Sequence, residues 1–156
     1  MAGVGSWLEG PQRAAPEPGT WRGQSLGLPE TGPRSVATQG RKLGAAVLDL
    51  VAAYLIGVGA SLVLARHPSP LYRTNASTVA WLVEIVVLSA VQGQTIGMRL
   101  AHLRIVGPDG ARPRLRWMLL RTLIFLIPFP GVTALAQDAN GRGLHDRASG
   151  TVVVRA

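Results

Sequence analysis

Cysteine is absent from the 156 residues, which excludes disulfides, thiolate metal sites and thiol catalysis. Charge is sparse: 15% of residues are Asp, Glu, Lys or Arg, against about 25% in a soluble domain. Aromatics make up only 5%, which gives no base-stacking surface and no support for nucleic acid binding. The three histidines, His67, His102 and His145, are scattered without ligand spacing, so no metal site is expected. Residues Met1 to Gly10 lack a basic n-region and an apolar h-region, so no secretory signal peptide is expected. His145-Asp146-Arg147 has no accompanying nucleophile or second acid. A turn in which Asp146 accepts backbone donors is expected there, with no enzyme activity and no cofactor.

What the chain does have is apolar length, with a mean hydropathy of +0.26. Leu43 to Ala65 offers roughly 23 mostly apolar residues, enough to cross a hydrocarbon core of about 30 Å at 1.5 Å per residue. Its small residues, among them Ala45, Ala53 and Gly57, favour close helix contact. A second segment is expected over about 78–98 and a third over about 117–136. Pro68 and Pro70 end the first helix, so Arg66 to Ser77 reads as a polar hairpin loop.

Net charge is +8, from 16 Lys and Arg against eight acids. The cations flank the apolar runs: Arg41 and Lys42 before the first, and Arg99, Arg104, Arg112, Arg114 and Arg116 after the second. That arrangement fits positive-inside anchoring and anionic lipid headgroups. It predicts a multi-pass protein of the cell (plasma) membrane with a cytoplasmic N-terminus.

The third segment is interrupted by Ile127-Pro128-Phe129-Pro130-Gly131, where two prolines remove backbone donors. It reads either as a kinked span or as a re-entrant hairpin. The polar tail after it and its Thr151 to Val154 run favour the re-entrant form, because that run needs a partner on the cytoplasmic side. Leu103 to Val106, followed by the turn signal Gly107-Pro108-Asp109-Gly110, is the expected partner strand. Residues 1–39, rich in Gly and Pro, read as a disordered N-terminal tail, and 40–156 as the membrane domain. The fold class is therefore an α-helical membrane protein: two transmembrane helices, a Pro-broken third segment and a small cytoplasmic β element.

Two acids, Asp49 and Glu84, fall inside apolar runs. An intramembrane acid costs about 2.5–3.5 kcal/mol to insert and needs a partner or a task. For Asp49 an ion pair is expected, with Arg121 first and Lys42 or Arg41 otherwise. Asp49 and Glu84 lie at similar depth from the basic side, so a shared proton or cation is the competing reading. Gln94 and Thr95 are expected to cap the second span.

The chain resembles the RDD family of small bacterial integral membrane proteins. The Arg41/Lys42 doublet with Asp49, the Gly93-Gln94-Thr95-Ile96-Gly97-Met98-Arg99 and Leu103-Arg104-Ile105-Val106 stretches, and His145-Asp146 within RGLHDRASGTVVV are similar to its motifs. The resemblance covers about Gly40 to Val154, and the GSWLEGP tail is similar to those of actinobacterial-type members. Many members carry Arg at the position of Lys42 and Lys at that of Met98. The resemblance implies a membrane role, with cation/proton exchange as one suggestion. Two functions follow as expectations. The first is a membrane interaction or assembly component, whose partners are membrane lipids, further copies of the chain or other membrane proteins. The second is an oligomeric small cation/proton transporter using Asp49 and Glu84.

Overall fold

The computed structural model describes residues 21–107, 109–126 and 136–156. The Pro-Phe-Pro-Gly break of the third segment and the first half of the N-terminal tail lie outside the described residues. Two long helices dominate. α1 runs Gln39–Leu64 and α2 Pro70–Gln92, and both are long and apolar enough to cross a membrane. Only 22% and 11% of their apolar windows are buried. A core helix of a soluble protein would hide most of that surface, so these faces call for lipid or an apolar partner.

The buried residues of α1 are Ala45, Asp49, Ala53, Gly57 and Ser61, every fourth position along one stripe. Four of the five are small, which lets α2 approach closely. Gly57 packs so tightly on the Ser77 backbone that a Cβ would lie 2.3 Å from it.

The hairpin between α1 and α2 is shorter than expected. Ser69 is the N-cap of α2, its hydroxyl accepting from Tyr72 N at 3.2 Å, and Pro70 opens the helix. Proline lacks only a donor that the first turn leaves unpaired in any case, so it starts this helix where the sequence reading had it terminating one.

α2 also differs at its far end. A wide π turn over Glu84–Leu88 leads into Ser89–Gln92, and Gly93, with φ of 69°, stops the helix. Residues 96–100 are not part of the span; they form a separate short helix, α3 (Ile96–Leu100).

β1 (Leu103–Val106) and β2 (Val152–Arg155) pair antiparallel, with Ile105 opposite Val153. Between them in sequence lie α4 (Leu115–Leu126) and a one-turn helix, α5 (Leu144–Ala148). One face of the ribbon packs Leu103, Ile105 and Val153 against Ala45 and Met118 at the helix ends. The other face shows Val106, Val152 and Val154 to Leu28.

That second face corrects the expected extent of the tail. Residues 21–38, read from sequence as part of a disordered arm, are folded onto the ribbon. Arg34 N donates to Arg155 O at 2.8 Å, Arg155 N to Ser35 O at 2.9 Å, and Ala37 N to Val153 O at 2.9 Å. Trp21 Nε1 donates to Leu28 O at 2.8 Å. The physical reason is that a two-stranded ribbon has two faces and an open edge to cover, and this arm supplies both.

Candidate functional site: a carboxylate clamp and a buried ion pair

α3 begins where α2 has just ended, and its first turn has three unpaired backbone N–H groups facing the helix pair. Each is satisfied. Ile96 N donates to Glu84 Oε1 at 3.0 Å, Gly97 N donates to Asp49 Oδ1, and Met98 N donates to Thr95 Oγ1 at 3.2 Å. The Thr95 hydroxyl then donates to Asp49 Oδ2 at 2.8 Å. Thr95 is thus the N-cap of α3, whereas the sequence reading had it capping α2. Both carboxylates meet the positive end of a helix, where negative charge is favoured.

The contact demands glycine. A Cβ on Gly97 would fall 2.0 Å from Ala45 O and 2.7 Å from Asp49 Oδ1. The π turn provides the other half of the clamp: it begins at Glu84, which is buried, and the Glu84 carboxyl lies against that of Asp49. Among the described residues, Glu84 Oε2 is buried with no hydrogen-bond donor. The clamp is coupled to the ribbon as well, since Ile105 N donates to Gly93 O at 2.9 Å.

The expected ion pair of Asp49 is not formed. Arg121 on α4 instead donates from Nε to Asp146 Oδ1 at 2.9 Å, with both side chains buried. Lys42 donates to the Gly141 carbonyl at 2.6 Å, and Arg41 is exposed at the start of α1. Asp49 has both oxygens occupied by uncharged donors of its own clamp, and this removes the need for a cation.

Asp146 is the charged centre of a second cluster. Its Oδ2 accepts from Gly143 N at 3.3 Å, which fits the turn expected there. His145 Nε2 lies 3.5 Å from Oδ1, and the His145 ring meets Phe125 edge-on at 5.4 Å. Burial pushes the Asp146 carboxyl up, but Arg121, His145 and Lys42 outweigh it and hold the group below its usual range. The expected turn takes the form of an N-cap pair, with Gly143 at the cap and Asp146 at the third helical position.

The candidate residues therefore separate into two groups. Asp49, Glu84, Gly93, Thr95 and Gly97 meet at the clamp. Lys42, Arg121, His145 and Asp146 meet around the ion pair. Gln94, in the link from α2 to α3, is half-buried, and Arg99 is exposed. A cleft of about 430 Å³, lined by Asp49, Trp81, Arg121 and Phe125 among others, separates the groups. Asn140 does more than hold its own loop, a role no local pattern signals: its Oδ1 accepts from Gly23 N at 3.2 Å and Ser25 Oγ at 2.9 Å, tying the arm to the C-terminal loop.

Two apolar helices with little buried surface, joined at one end by buried carboxylates, define a small helical membrane protein. The RDD family model matches residues 36–150, and the chain belongs to that family. No curated protein and no solved structure matches it.

Proposed function

We propose that this RDD family protein is a membrane interaction or assembly component of the plasma membrane, multi-pass, with no catalytic role. The observation that carries this reading is the use made of the two intramembrane acids: Asp49 and Glu84 accept backbone donors of α3 and hold the turn between α2 and β1. They act as fasteners between the spans and the ribbon. The outer faces of α1 and α2, including Val47, Leu55 and Val63 on α1 and Val79 and Val83 on α2, stay exposed. Two spans enclose no pathway, and those faces are free for lipid, for a second copy or for another membrane protein.

In this reading both termini are cytoplasmic. The pairing of β2 with β1 on one side and with the segment just before α1 on the other supports a third segment that re-enters and returns to its starting side.

The transport reading keeps one observation in its favour: Glu84 Oε2 is buried against Asp49 without a donor, as a carboxyl pair sharing a proton would be. The test that separates the two starts from purification of the tagged chain out of mild detergent and mass determination of what accompanies it. A defined hetero-complex or homo-oligomer is expected. Vesicle flux with Asp49→Asn/Glu84→Gln is then measured. A proton or cation flux by the native chain that this variant abolishes, with folding intact, would replace the assembly reading by transport.

A further inference from the structure

A second cleft, of about 650 Å³, lies apart from the clamp. The turn after β1 and the start of α4 form one wall, and the turn between α5 and β2 forms the other. Arg112, Arg114, Trp117 and Arg147 line it, and Asp109 is its one acid among the described residues. Asp109 is already engaged, its Oδ1 accepting from Ala111 N at 3.1 Å.

The depth of the cleft is set by Arg112, which donates from Nη1 to the carbonyl of Val91 at 2.7 Å. Val91 lies in the last turn of α2, so the cleft sits where the apolar span ends. Beside it the Arg116 guanidinium lies 5.1 Å over the Trp117 ring, and Trp side chains concentrate at the headgroup layer. Arg114 and Arg147 form no ion pair among the described residues. Three arginines thus line one opening whose one acid among the described residues is Asp109. Their planar donor forks match the oxygens of a phosphate ester.

We propose that this cleft binds the phosphate of an anionic phospholipid headgroup, with Arg114 and Arg147 as its ligands and Arg112 fixing the wall. The membrane is the source of that phosphate because the cleft opens at the end of a span, beside an exposed tryptophan. The inference rests on the membrane reading, which is tested separately: release of the chain from membranes by alkaline carbonate would overturn that reading itself.

The test of the cleft uses the full chain in detergent. Short-chain phosphatidylglycerol is expected to raise its melting temperature by several degrees, with phosphatidylcholine of the same chain length giving no such rise. Arg114→Gln/Arg147→Gln should abolish the difference between the two lipids. Arg22→Gln/Arg155→Gln, which removes two charges elsewhere on the arm and ribbon, should keep it. Equal stabilisation by both lipids overturns the proposal, and so does equal loss in both double variants, which would reduce the effect to net charge. Glycerol phosphate stabilising as well as the lipid would assign the cleft to a soluble phosphate ester and overturn the lipid assignment. Should Arg114→Gln/Arg147→Gln not fold, Arg147→Gln alone is compared with the native chain by native mass spectrometry. One fewer phosphatidylglycerol retained is the expected result, and unchanged retention overturns the proposal.

Discussion

At the scale of single residues, the most constrained position is Gly97. A methyl group there has nowhere to go, because its neighbours are the Ala45 carbonyl and the Asp49 carboxylate. Gly97→Ala should destabilise the protein by about 1–3 kcal/mol through overpacking. Gly44→Ala, where nothing lies within 4 Å, should be neutral or stabilising by up to about 1 kcal/mol. Thermal melting of the detergent-solubilised variants checks the contrast, and equal losses at both positions would show that α3 does not seat on α1 as described. Arg121 and Asp146 offer a second contrast. Removing either leaves a buried charge alone, at about 3–5 kcal/mol, whereas the double variant Arg121→Gln/Asp146→Asn should cost clearly less than the sum. The same pair gives a pH dependence. The folded Asp146 carboxyl titrates below its ordinary value of 3.8. Its contribution is therefore complete above that value and is lost as pH falls through the lower folded one. Acid unfolding monitored by circular dichroism should be blunted in Asp146→Asn.

At the scale of elements, the ribbon is the joint of the molecule. The Ile105 N–H points away from β2, to Gly93 O, so Ile105 and Val153 form a non-hydrogen-bonded pair with close Cα atoms. Both side chains enter the same core. Cysteines at these two positions should form a disulfide under mild oxidation, read as a mobility shift on gels. A bond forming only with a neighbouring register would show that the strands pair otherwise. The arm at residues 21–38 is structural by the same logic. Leu28 covers the outer face of the ribbon, and Leu28→Ala should cost about 2–4 kcal/mol in melting experiments. The composition of the arm, rich in Gly and Pro, hid this. Its hydrogen bonds run to residues more than a hundred positions away in the chain, beyond the reach of any local pattern.

At the scale of the whole molecule, the polar machinery is gathered at one end. The clamp, the ion pair, the ribbon and the arm all lie where α1 starts and α2 stops, and the opposite hairpin is a short turn around Ser69. With no native cysteine to interfere, single cysteines at Ser69 and Ala156 test sidedness in intact cells. An impermeant thiol reagent should label position 69 and leave position 156 unmodified. Labelling at 156 would mean that the third segment crosses fully.

Sequence by itself determined that there are two apolar spans, which acids fall in them and which segments pair as strands, since each is a matter of local composition and period, but it misplaced both ends of the second span, whose helix is Pro70–Gln92. The 23-residue run after Arg41 and Lys42, and the β-branched runs at 103–106 and 151–154, needed no knowledge of neighbours. Tertiary structure alone decided which charge meets which. Asp49 and Arg121 are at plausible depths for each other, but depth along a helix does not specify direction around it. The π turn at Glu84 and the separate short helix at Ile96 bring backbone N–H groups to both carboxylates. With its oxygens filled by those donors, Asp49 gains nothing from a cation, and Arg121 is left to Asp146. A buried charge takes whichever partner the packing delivers, and that choice is made by contacts 25 to 48 residues apart in the chain.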